Sequence, residues 1–238
     1  MAFTRSQRLG GLALVGALTV AVVTAGIVTA QGSSYPSASG DTVAAPDISK
    51  QAEEVPPASP AVPEEPRPTP VDKGTPVSAD PAVQKQLTYA LAHWQNYNTA
   101  EYGVLGTTDC VNFASQTLIE RGWEMDDQWW TSGTGSGFEF SSPWVSSTAF
   151  MRYLESSGRA TALTDEQRDQ VKLGDIAQFD WDNSGDRDHT AIVSRIEGSG
   201  DNLQIYYAGH TDNTDYRSVD WAITVNHPGA SVYYWSVP

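Results

Sequence analysis

Cysteine is almost absent from this 238-residue chain: Cys110 is the only one. A single thiol forms no intramolecular disulfide and no cysteine-based metal cluster. Basic side chains are also scarce, at 14 Lys and Arg against 29 Asp and Glu, for a formal net charge of −15. Nucleic acid and anionic membrane surfaces bind through clustered Lys and Arg, so neither is expected as a partner. Large apolar residues are missing from the first third. All eight Trp lie between Trp94 and Trp235, whereas eleven of the fourteen Pro lie between Pro36 and Pro81. A core needs the former and excludes the latter, so one folded domain is expected over residues 82–238. No internal repeat is visible.

What is present begins with an export pattern. Arg5 and Arg8 precede an uncharged run from Leu9 to Val28, and Val28-Thr29-Ala30 offers small residues before Gln31. Basic start, apolar centre and small-residue site make residues 1–30 a secretory signal or, uncleaved, a membrane anchor of about 20 residues. Both place the remainder outside the cytoplasm, with a membrane as partner only through that segment. Residues 31–81 are dominated by Ser, Ala, Pro, Glu and Thr and read as a disordered spacer, because too little apolar surface offsets the ordering entropy.

Beyond Pro81 the apolar spacing becomes helical. Val83, Leu87, Leu91 and Trp94 predict a helix over about 82–98. A second is predicted over 110–121, capped by Thr107, Thr108 or Asp109 and stopped by Gly122, and a third around 147–157 between Ser146 or Ser147 and Gly158. Short β-branched and aromatic runs then predict strands at Ile176–Phe179, Thr190–Ile196, Leu203–Ala208 and Val232–Trp235, while 218–226 reads equally as helix or strand. Helices followed by strands indicate an α+β fold, with N-terminal helices packed on an antiparallel sheet.

Cys110 falls at the first turn of the second predicted helix. Unpaired N–H groups and the helix dipole there favour a thiolate and can receive an oxyanion. The bland alternative is a buried apolar residue beside Ala114 and Leu118. A thiolate needs a histidine partner, and there are four. His93 sits among aromatics on the first helix and reads as structural, and His227 precedes Pro228 in a turn. His189 opens one predicted strand and His210 ends the next, so the two are expected as neighbours at one edge of an antiparallel pair. Trp123, Trp129, Trp130 and Trp144 are candidate cleft walls, although the core is the commoner place for such side chains.

The segment Asp109-Cys110-x-Asn112-Phe113-x-Ser115-Gln116, followed by Gly122-Trp123, resembles the signature of the putative amidase domain family. The order continues through Trp129-Trp130, Trp144-Val145, Gly174-Asp175, an Asp-rich turn into His189, and His210-Thr211 with Asp215. The resemblance covers about residues 83–238 and implies a papain-like (NlpC/P60-like) cysteine hydrolase fold. It implies Cys110 as nucleophile, His189 as base and a polar third member, His210 or its rival Asp212. An exported hydrolase of this kind is expected to act on an amide or peptide, with peptidoglycan stem peptides as the analogous substrate class. A non-catalytic wall-binding module and an acyltransferase are the alternatives.

The turn from Asp180 to Asp188 places Asp180, Asp182, Ser184, Asp186 and Asp188 at alternate positions, with Gly185 sixth. This matches the first half of a calcium loop, but Ala191 stands where its closing carboxylate belongs. A polar hairpin turn without metal is the simpler reading. No other cofactor is expected.

Overall fold

The computed structural model describes Glu65 and residues 76–238. The export segment expected at 1–30 and nearly all of the Pro-rich stretch lie outside the described residues. Among the described residues no helix is long and apolar enough to cross a membrane.

The fold is α+β. Helix α1 (Pro81–His93) starts where Asp80 accepts from the Ala82 N–H, with Pro81 at the first helical position, where its missing donor costs nothing. It ends five residues before the expected limit. Helix α2 (Cys110–Arg121) stops at Gly122, whose φ of 106° is the left-handed cap that glycine tolerates best. A short hairpin of β1 (Thr131–Ser132) and β2 (Glu139–Phe140) and a one-turn α3 (Ser142–Val145) lead into α4 (Ser147–Ser157). Ser146 caps α4 by accepting from the Ala149 N–H.

The main sheet contains β3 (Thr161–Thr164), β4 (Ile176–Asp180), β5 (His189–Glu197), β6 (Gln204–Gly209), β7 (Thr214–Ser218) and β8 (Ser231–Ser236). Its six strands run antiparallel in the order β3-β8-β4-β5-β6-β7, so the last strand is inserted between two earlier ones. The ambiguous stretch at 218–226 becomes one turn of helix, α5 (Val219–Trp221), and a π-helical turn.

The two sheet faces carry separate cores, and their alternation fixes which residues share a side. Ile176, Ile192 and Trp235 pack with Cys110, Val111, Ala114 and Leu118 of α2 and with Phe150 and Leu154 of α4. Ala177, Phe179, Ala191, Val193, Tyr207 and Tyr234 face the other way and pack with Val219 and Ala222.

Several polar residues of α2 spend their side chains on this packing. Asn112 Oδ1 accepts from the Trp144 indole at 2.8 Å, Ser115 Oγ from the Trp129 indole at 3.0 Å, and Gln116 Oε1 from the Tyr89 hydroxyl at 2.8 Å. Trp129 and Trp144 are wholly buried, so they are core and not cleft walls. Arg121, at the end of α2, donates to Gln86, to the Gly174 carbonyl and to the carbonyls of Val237 and Pro238. Gly174 has a φ of 80°, and a Cβ there would fall 2.4 Å from Gln86 Oε1 and 2.7 Å from Arg121 Nη1, so glycine alone leaves room for this junction.

Candidate active site

Cys110 is the first residue of α2 and is 6 % exposed. Asp109 before it is wholly buried, yet its carboxylate does not cap the helix. Oδ1 instead accepts from the Leu105 N–H at 2.7 Å and from the Asn112 amide at 2.8 Å. Oδ2 accepts from Nδ1 of His210 at 2.5 Å. The first-turn N–H groups of α2 are therefore left without the usual side-chain cap. Cys110 Sγ lies 3.8 Å from Ser147 Oγ, which in turn accepts from the Thr190 hydroxyl at 2.9 Å. Gln178 donates to the Ser147 carbonyl and to Thr190 Oγ1, closing a polar ring around the thiol.

His210 follows β6 and lies on the α2 side of the sheet. Its ring stacks between Tyr97, at 3.9 Å, and Phe113, at 4.0 Å. Nε2 faces the His93 carbonyl at 2.9 Å. Both contacts of the ring are with oxygens. Thr211, a β-branched residue at φ 77°, follows immediately. Strain of about 1–3 kcal/mol in such a residue is commonly found at functional sites.

His189 is placed differently. It pairs with Phe179 across β4 and β5, and its ring lies near Phe179, Trp181 and Tyr207. These belong to the face opposite α2. The register Ile192↔Ala208 carries Thr190, not His189, to the position opposite His210. The two histidines thus share an edge, as expected, but not a face. Among the described residues no histidine nitrogen lies within hydrogen-bond distance of Cys110 Sγ, and the expected Cys110–His189 contact is not formed. Asp212 also stands apart from Cys110, at 3.5 Å from Arg217 Nη1. Sequence reasoning had Asp109 as one of three candidate caps and Ser147 as one of two candidate helix starts; the bond of Asp109 to His210 and the closeness of Ser147 to the thiol appear only in three dimensions.

Burial, reinforced by the nearby Arg217 charge, holds the His189 imidazole at a pKa of about 4. Free histidine titrates near 6.5. As pH falls the unfolded chain therefore binds this proton first. The contribution of neutral His189 is complete above about pH 6.5 and is lost as pH falls towards 4, at a total cost of about 3 kcal/mol. Urea unfolding at pH 7 and pH 4.5 will show a smaller pH-dependent loss for His189→Gln than for the parent. Equal losses in the two proteins would refute this placement.

In the acidic turn, Asp180, Asp182 and Asp188 bring oxygens within 4.8 Å of one another. The Asp186 carboxylate is not in that group, and Ser184 Oγ accepts from the Asp186 N–H at 3.4 Å. Asp180 accepts from the N–H groups of Ser184 and Gly185, and Asp188 from that of Trp181, so the loop is tied by its own carboxylates.

A family described as putative amidase domain matches residues 81–235. No curated protein and no solved structure matches the chain.

Proposed function

The chain belongs to the putative amidase domain family, whose general chemistry is amide hydrolysis, and from that premise we propose an exported cysteine-type amidase that acts on cell-wall peptides. The observation that carries the cysteine assignment is the Asp109–Cys110 step. One residue delivers a carboxylate to His210, and the next delivers a thiol to a helix start with no side-chain cap. The α+β layout, with the thiol at a helix start over an antiparallel sheet, supports a papain-like or NlpC/P60-like relationship. Arg5, Arg8 and the apolar run to Val28 support export.

In this reading the Cys110 thiolate attacks the amide carbon and forms the S–C bond. The carbonyl oxygen takes the negative charge, and the N–H groups of the first turn of α2 receive it. The C–N bond then breaks, and the leaving amine takes the proton given up by the thiol through His210, whose Nε2 exchanges the His93 carbonyl for the substrate while Asp109 holds Nδ1. Water attacks the thioester, gives its proton to His210, and releases the acid and the thiolate.

Incubating the purified protein with cell-wall peptides, with Cys110→Ala protein as the blank, tests this. Mass analysis will show products heavier by one water in sum and a new free amine. Identical products from the blank would remove the cysteine assignment.

The acidic turn is proposed to accept calcium through Asp180, Asp182 and Asp188, three hard oxygen donors at suitable spacing. At a free calcium concentration 100 times the dissociation constant, the folded state gains about 2.7 kcal/mol. Melting of the protein will rise with millimolar calcium and will not rise for Asp182→Ala. An unchanged melting temperature in the parent would identify the turn as metal-free.

A further inference from the structure

Ser147 takes no part in the hydrolysis described above, yet its hydroxyl lies 3.8 Å from Cys110 Sγ, within the range of a hydrogen bond to sulfur. It is the first residue of α4, but Ser146 supplies the cap of that helix, so the Ser147 side chain is not spent there. Ser147 is buried, and so are Thr190 and Gln178 behind it.

Which atom donates between Ser147 and the sulfur follows from the groups behind them. The Trp235 indole is a donor only, and it lies 2.8 Å from Gln178 Oε1, so the amide oxygen is turned to β8. The two hydrogens of the Gln178 amide then go to the Ser147 carbonyl at 2.9 Å and to Thr190 Oγ1 at 3.0 Å. A carbonyl only accepts, which agrees with that orientation. Gln178 and Thr190 are cross-strand partners, so the register of β4 and β5 holds them side by side. Thr190 Oγ1 accepts from Gln178 and gives its own hydrogen to Ser147 Oγ at 2.9 Å. Ser147 Oγ is thereby an acceptor already, and its hydrogen is left for the sulfur. The reverse direction would leave the Thr190 hydrogen without an acceptor among the described residues, in a wholly buried place where an unmade bond is costly.

We propose that Ser147 is a further catalytic residue, which donates to the Cys110 sulfur and favours its thiolate. Thr190, Gln178 and Trp235 are the positioning residues that fix the direction of that bond. The proposal rests on the reading of Cys110 as a nucleophile. A hydroxyl donates more strongly to a charged acceptor than to a neutral one, and neutral sulfur accepts weakly, so the thiolate gains more than the thiol. Proton transfer stays with His210. The Ser147 hydrogen remains on its oxygen, and no covalent bond to Ser147 forms or breaks.

The ultraviolet absorbance of the thiolate, read on the full chain at pH 8 with Cys110→Ala as the blank, tests this without a substrate. At that pH a free thiol is about one-quarter ionised. Ser147→Ala will lower the ratio of thiolate to thiol by about tenfold. Thr190→Val keeps the shape and removes the hydroxyl, and it will lower the ratio too. Thr190→Ser keeps the hydroxyl and will hold the parent ratio, whereas a role in packing alone would spare Thr190→Val instead. Equal ratios in the parent and Ser147→Ala, no thiolate in the parent, or equal ratios for the two Thr190 variants would each overturn the proposal. Should one position fail to fold when changed, the other decides. Amine release from cell-wall peptides separates this proposal from the hydrolase reading. Release that is lost in Cys110→Ala, beside an unchanged ratio in Ser147→Ala, removes Ser147 and keeps the nucleophile. A ratio that falls in Ser147→Ala, in a protein that releases no amine, keeps the bond to sulfur and removes the hydrolase.

Discussion

Cys110→Ala will lower amide hydrolysis by about 10⁴-fold or more, since loss of a nucleophile that acts in concert with its partner removes most of the chemical acceleration. His210→Ala will cost about 10²–10⁴-fold, the usual range for a positioned acid–base group. His189→Gln will stay within about tenfold of the parent, because its ring lies across the sheet from the thiol. Asp109→Asn acts on positioning: it keeps the bonds from Leu105 and Asn112 but weakens the hold on His210, so it will lower kcat and move the acidic limb of the pH profile. The measurement is initial rate of amine release against pH for the four variants. A His189→Gln loss equal to that of Cys110→Ala, with His210→Ala active, would reverse the assignment of the base.

Arg121→Met will destabilise the fold by about 3–5 kcal/mol, the usual result of removing a buried charge from its partners. The methionine retains much of the stem volume, so the loss reports the guanidinium. Four acceptors depend on it: Gln86 Oε1 and the carbonyls of Gly174, Val237 and Pro238. Asp175 behind it is already pushed to a raised pKa by burial, opposed by bonds from Val237 and Lys172, and Arg121 also counters that shift. The melting temperature will fall on the order of 10 °C for a folded unit of this size. A fall of under 2 °C would show that water replaces the guanidinium.

Much of this fold is legible in the sequence because its longer elements carry clean signals. Helices α2 and α4 match their expected limits, since Gly122 and Gly158 take left-handed caps and Ser146 accepts at the α4 start. Strands β4, β5, β6 and β8 fall within a residue or so of the apolar runs that predict them. The elements that escape are short or polar: β1 and β2 have two residues each, and β3 exposes three of its four. β7, Thr214-Asp215-Tyr216-Arg217-Ser218, alternates in burial but hides its apolar face in hydroxyl-bearing side chains.

The site is half legible. A thiol at a helix start is visible in residue types and spacing, as is the placing of His189 and His210 at one strand edge. The face that each histidine presents is not, because side chains alternate and a difference of one position reverses the side. His189 shares its parity with Ala191 and Val193, and that parity leads to the other core. Asp109 misleads for a related reason. A buried acid before a helix is a good cap, and only the distant His210 shows that its carboxylate is drawn elsewhere.

The insertion of β8 between β3 and β4 bears on how the chain reaches this state. Neither neighbour can complete its ladder until β8 arrives, so the sheet joins segments up to about 75 positions apart, Thr161 with Ser236, in its final step. Closing such loops before their contacts form slows folding. A chain emerging from its amino end will therefore have α1, α2 and the β4–β6 meander available while the slot for β8 stands open. For an exported chain of the kind proposed above, that delay would keep it in a form that can be threaded through a membrane.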